Sequence, residues 1–177
     1  MLRIARNIIR ACREYSINQM TQNFYKSVSL WIIKISLFVV PFIPLVIAKA
    51  MFFPFITPKA FILRIIVEIA LALWVFLAIF YKEYRPRLNA LTIAIGAFLA
   101  VVTLATIFGV NPARSFWSNF ERMEGLITYL HLGAYFLVLA HVFEKKDWIL
   151  FFNLFVISGL IENFYVFSQK LGYIASP

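Results

Sequence analysis

The sequence predicts an all-α fold: a polytopic helical bundle within a membrane, with about five spans and a cytoplasmic N-terminus. Three observations carry this expectation. Of 177 residues, 63% are apolar and 14% charged, and mean hydropathy is +0.85; an average soluble domain is about 45–50% apolar and about 25% charged. The apolar residues fall into five continuous runs, at 30–48, 60–81, 88–108, 126–143 and 148–167, and about 20 helical residues cross a hydrocarbon core. Lastly, Lys and Arg are distributed unequally across the loops. Ten of the 17 would lie on one side: Arg3, Arg6, Arg10, Arg13, Lys26, Lys82, Arg85, Arg87, Lys145 and Lys146. Five would lie opposite, at Lys49, Lys59, Arg114, Arg122 and Lys170, while Lys34 and Arg64 fall within spans. Positive residues favour the cytoplasm, so the richer side, with the N-terminus, is inside.

The same composition excludes several classes. Aromatics at 18% with only 6 Gly and 7 Pro are incompatible with a disordered or collagen-like chain. The single cysteine, Cys12, forms neither a disulfide framework nor a zinc constellation. The net charge of +9 follows membrane topology and gives no reason to expect nucleic acid; the partners implied are membrane lipids.

Residues 1–27 form a basic, cytoplasmic N-terminal segment. At about 100° per residue, Arg3, Arg6, Arg10 and Arg13 share one side of a helix and Leu2, Ile4, Ile8, Ile9 and Tyr15 the other. This face suits adhesion to an anionic leaflet, and it equally suits a plain topology determinant ahead of the first span. Residues 28–177 form the transmembrane domain. The first run contains Pro41 and Pro44, which predict a kink because each removes a backbone donor. The run beginning near residue 88 has no charged residue. Continuous rather than alternating apolarity argues against strands throughout.

Ionisable residues inside spans are costly and therefore informative. Arg64 and Glu68 stand at i and i+4 near the outer end of the second run, placed either to lock helices as an ion pair or to meet a substrate. His131 lies near the outer end of the fourth run, as a hydrogen-bonded packing residue or as a functional group. Glu162, with Asn163, stands about 21 Å along the fifth run at 1.5 Å per residue, without an obvious local partner; it is either protonated or met by a basic residue of another helix. Lys34 and His141 lie near inner ends, within snorkelling reach of water. His131 and His141 are too far apart along one helix to share a metal ion.

The stretch 109–125 reads as an interfacial outer-loop helix. Asn111 suits the N-cap, Pro112 the first helical position and Gly125 the stop. Ala113, Phe116, Phe120 and Met123 share one face; Arg114, Ser118, Asn119 and Arg122 share the other. Arginine forks at headgroup depth suit phosphate oxygens, so Arg114 and Arg122 are candidates for the diphosphate of a lipid carrier, or for ordinary lipid phosphates. No P-loop, dinucleotide fingerprint, HExxH, GxSxG or CxxC occurs, so no cofactor and no metal is expected.

Two stretches resemble O-antigen ligase-like membrane proteins. One is Phe53-Pro54-Phe55-Ile56-Thr57 with Lys59-Ala60-Phe61 and Arg64-Ile65-Ile66-Val67-Glu68; the other is Asn111-Pro112-Ala113-Arg114-Ser115-Phe116-Trp117 with Phe120-Glu121-Arg122-Met123-Glu124-Gly125 and Tyr129. The resemblance implies a metal-independent glycosyltransferase that passes a glycan from an undecaprenyl-diphosphate carrier to an acceptor, on the outer side of a bacterial inner membrane. It also implies that outer-loop arginines steady the carrier, a role Arg114 and Arg122 would fill. Members of that group have about a dozen spans and a large outer loop with a catalytic histidine and arginine. The present sequence has neither, so it reads as the N-terminal portion of a longer protein that would not catalyse transfer alone. Neither His131 nor His141 inherits the loop histidine's role. The competing reading is a non-enzymatic membrane subunit or transporter fragment that uses its polar residues for helix association.

The orientation can be checked directly. In a Cys12→Ser background, Ser118→Cys is expected to react with a membrane-impermeant thiol reagent in intact cells. Labelling only after permeabilisation would reverse the topology.

Overall fold

The computed structural model describes residues 2–48, 56–119 and 124–173, with side chains from Gln19 onward. The arginine face at the N-terminus, Lys49 and Arg122 therefore lie outside the described side chains. Among the described residues there are six α-helices and no strand: α1 Leu2–Val39, α2 Thr57–Phe80, α3 Ala90–Ile107, α4 Pro112–Trp117, α5 Leu126–Val142 and α6 Lys145–Lys170. A 3-10 turn, Val40–Leu45, continues α1, and a shorter one, Lys82–Tyr84, follows α2. The chain is an all-α helical bundle, and its apolar helices make it a multi-pass membrane protein. Large apolar side chains such as Trp31, Phe98 and Phe164 are more than half exposed, as expected where the solvent is lipid.

Two features of the helices go beyond the sequence expectation. The apolar run expected at 30–48 lies on α1 and the turn that follows it, within the candidate span Gln19–Leu45, and α1 passes through residue 27 without a break. The N-terminal segment and the first span are thus one continuous helix. Among the described residues four helices are long and apolar enough to cross a membrane, and α5 is shorter, with 17 residues. It rises about 25 Å, against about 36 Å for the 24 residues of α2.

The core lies between α1, α2 and α5, where Ile33, Leu37, Ala70, Trp74, Leu77, Val138 and Leu139 are buried together. Phe38, Phe143, Trp148 and Phe151 extend it toward α6 through tilted and edge-on ring contacts. At Gly133 a Cβ would come within 2.4 Å of Leu99 Cδ1, so the missing side chain lets α3 seat on α5.

The predicted kink is present, and its chemistry determines where α6 sits. At Val40–Leu45 the α-helix tightens to a 3-10 turn with Pro41 near its start and Pro44 inside it. In such a turn the Pro41 carbonyl would accept from the N–H of residue 44, which proline lacks. The Ser158 hydroxyl of α6 donates to that carbonyl instead, at 2.6 Å and fully buried. In an apolar slab no water could replace it.

One end of the bundle is tied by polar contacts. Lys26 pairs with Glu83 and lies over the rings of Tyr81 and Tyr84, at 5.5 and 5.6 Å. The Tyr81 hydroxyl donates to the Gln22 carbonyl at 2.7 Å. Lys34 does not snorkel to water as expected: it pairs with Asp147 at 2.7 Å. Asp147 also accepts from the Glu144 N–H at 2.9 Å, as one half of a capping box that starts α6. This end gathers Lys82, Arg85, Arg87, Lys145 and Lys146, and the positive-inside rule assigns it to the cytoplasm.

Removing the Ser158 hydroxyl would leave a buried carbonyl unpaired. Ser158→Ala is expected to lower the stability of the detergent-solubilised protein by about 1–3 kcal/mol. An equal loss for Ser168→Ala, whose hydroxyl bonds within its own helix, would show that the cross-helix bond carries nothing special.

Candidate functional site

The site follows from the register between α2 and α5, which run in the same direction. Arg64 donates to the Thr128 hydroxyl at 3.2 Å across 64 residues, and Glu68 meets His131 at 3.1 Å across 63. Leu126, the first residue of α5, is therefore level with residues 62–63 of α2. The shorter helix begins about 8 Å below the outer end of its neighbour. The space above it becomes a cavity of about 470 Å³.

Polar groups enter this cavity from several elements: Lys59 and Arg64 from α2, Glu124 ahead of α5, and Thr128 and His131 from α5. Its apolar wall comes from Val40, Ile43 and Pro44 of the proline turn, Leu63 of α2 and Phe155 of α6. Both cations are thus held against an apolar wall that exists because the turn is broken and α6 is bonded to it. Lys59 and Pro44 also line a second cavity of about 410 Å³, together with Glu162 and Tyr165 of α6. Glu162 and Lys59 thus border one cavity from different helices. The neighbouring Asn163 amide donates within its own helix, to the Gly159 carbonyl at 2.8 Å.

Arg64 and Glu68 were expected near the outer end of their span, either as an ion pair locking helices together or in contact with a substrate. The structure gives each a partner on α5 and places Glu68 midway along Thr57–Phe80. Sequence periodicity could place the two on one face of α2; it held no information about what stood opposite.

The two histidines have different hydrogen-bond arrangements. His141 Nδ1–H donates to the Leu137 carbonyl at 2.7 Å, and its Nε2 accepts the Arg87 N–H at 2.9 Å. Both ring nitrogens are satisfied by a neutral imidazole, which joins the α2–α3 loop to α5. His131 Nδ1–H donates likewise to the Ile127 carbonyl at 2.7 Å, but its Nε2 faces a carboxyl oxygen of Glu68 rather than an N–H. One turn beyond His131 on α5, the Tyr135 hydroxyl is buried without a hydrogen-bond partner.

The outer-loop helix is shorter than expected. Asn111 caps it, accepting from the Arg114 N–H at 3.1 Å, and Pro112 opens it as predicted. It ends at Trp117 because Ser118 takes φ 64°, ψ −153°, a backbone region suited to glycine. Arg114 is exposed, with one guanidinium N–H directed to Asn119 Oδ1 at 3.4 Å; Arg122 lies outside the described residues. The face expected to carry both arginines is therefore described only as far as Arg114. Gly125 does not stop this helix; it is the N-cap of α5. It is buried where a Cβ would stand 2.2 Å from the Phe116 carbonyl oxygen. Backbone thus packs on backbone, bringing α4 over the start of α5.

Comparisons of the chain with protein-family models, with characterised proteins and with solved structures return no match.

Gly125→Ala forces two backbones apart, so a destabilisation of about 1–3 kcal/mol is expected, as for overpacking. Gly159→Ala, where a Cβ meets nothing within 4 Å, should be neutral or slightly stabilising through helix propensity. Thermal unfolding of the two purified variants checks the contrast.

Proposed function

We propose that the chain handles an anionic, lipid-linked substrate in the outer leaflet of a bacterial inner membrane. In this reading it is the carrier-binding part of an O-antigen ligase-type glycosyltransferase, and the substrate is a glycan on a polyprenyl diphosphate. The observation that carries the reading is the cavity above α5, in which Lys59 and Arg64 face an apolar wall at a depth suited to a lipid headgroup. Phosphate oxygens fit the planar fork of Arg64, which also donates to Thr128. A polyprenyl chain fits the exposed apolar surfaces of the proline turn and α6. The second cavity, with Lys59 at its border and Glu162 opposite, offers acceptors for sugar hydroxyls. Arg114 lies on the same side of the membrane and would meet the carrier on approach.

The reading is tested with the protein in lipid nanodiscs, measuring retention of undecaprenyl diphosphate against phosphatidylglycerol. A charge-assisted contact worth about 1.5–3 kcal/mol predicts that Arg64→Gln weakens undecaprenyl diphosphate binding roughly tenfold or more. Arg64→Lys should recover only part of the loss, since a point charge lacks the fork. Equal retention of both lipids, with equal losses in the variants, would reduce the cavity to a site for ordinary anionic lipid.

A further inference from the structure

We infer that Glu68 and His131 form a proton-binding site that ties α2 to α5 in the wall shared by two cavities. This goes beyond the lipid-binding reading and does not rest on it. Each carbonyl is an obligate acceptor, so the 2.7 Å contact between His131 Nδ1 and the Ile127 carbonyl fixes a proton on Nδ1. A neutral imidazole then presents a bare lone pair at Nε2. Glu68 Oε1 stands 3.1 Å from that nitrogen, and an ionised carboxylate is also an acceptor only. Two facing acceptors do not make a bond. The contact therefore contains one proton, on Nε2 as an imidazolium–carboxylate pair or on Oε1 as a carboxylic acid donating to the imidazole. Its release to water leaves two lone pairs opposed and the bond gone.

The other charged groups around His131 can be named element by element. From α2 come Lys59 and Arg64 as well as Glu68, and Glu124 lies just ahead of α5; Lys59, Arg64 and Glu124 line the larger cavity with His131. Helix α3 has no charged residue. Arg114 of α4 is directed to Asn119. On the described part of α1, Lys26 and Lys34 are paired with Glu83 and Asp147 at the opposite end of the bundle.

The position gives the proton both a route and a consequence. His131 lines the cavity of about 470 Å³ and also a smaller one of about 280 Å³, which Glu68 lines too. The imidazole side chain is 12% exposed and the Glu68 side chain 67%. His131 thus borders both spaces, and the larger one brings polar groups beside the ring. While the proton is held, the ring is bonded to α2; when it leaves, the ring stays tethered only through Nδ1.

The chain contains two histidines, and the structure assigns them opposite behaviour, which makes nitrogen NMR of histidine-labelled protein in bilayers decisive. In the wild type, the Nε2 resonance of one histidine is expected to move as the shared proton is released with rising pH. The other, His141, should keep the signature of a ring whose Nε2 accepts an N–H. In Glu68→Gln the side-chain amide donates to Nε2 without a titratable proton, so the moving resonance should become stationary. In His131→Gln the single remaining histidine should be the stationary one. Two stationary histidines in the wild type would overturn the inference. So would a moving resonance that persists in Glu68→Gln, or a titrating histidine in His131→Gln.

Discussion

A bilayer supplies no water to a broken helix, and this constraint fixes the arrangement around Pro41 and Pro44. The two prolines end the α-ladder of the first span and leave the Pro41 carbonyl without its helical donor. The Ser158 hydroxyl answers it, and in doing so sets α6 against the turn. Phe155, one turn earlier on α6, then faces the same cavity as Ile43 and Pro44. One unsatisfied carbonyl thus links the kink in the first span to the wall of the candidate site. Without that bond, α6 would be held near its start, by the ring contacts and the Lys34–Asp147 pair, and much of its length would be free in lipid.

The charged residues divide into two sets by what they do. At the end assigned to the cytoplasm they are spent on structure: Lys26 on Glu83, Lys34 on Asp147, and the Arg87 amide on His141. Asp147 does double duty there, closing the cap of α6 while neutralising Lys34. Deeper in the bundle and toward the other end, the polar groups converge on space rather than on one another alone. Lys59 borders two cavities, and His131 borders two. That contrast, rather than the mere presence of ionisable residues in spans, separates a site from a set of staples.

Much of the fold was legible in the sequence because membrane helices are defined by composition over long windows. The all-α class, the apolar runs and the proline kink needed only local information. So did the Asn111 cap, since a cap is a relation within four residues. The length of α4 did not yield to the same reasoning, because its end depends on the backbone of Ser118 and on Gly125 packing against Phe116 far along the loop. Partners across helices were equally hidden. Arg64 and Glu68 stand four residues apart and read naturally as a couple, and nothing local pointed to Thr128 and His131, which they meet on α5 more than sixty residues away. Lys34 had a nearby end to snorkel toward and an acid over a hundred residues on, and only the fold reveals which one it meets.

The bond between the Arg87 amide and His141 has a consequence for assembly. Proteins are made from the N-terminus, so α3 enters the membrane before α5 has been synthesised. During that interval α3 has no notch at Gly133 to receive Leu99 and no imidazole to hold the loop that precedes it. It is held by its hydrophobicity alone, which explains why a helix with so little burial has no charged residue at all. When α5 arrives, a single ring nitrogen closes the loop at one end while a missing side chain admits Leu99 farther along the helix. Helix α3 is thus stowed by a later part of the chain, and His141 is the hook.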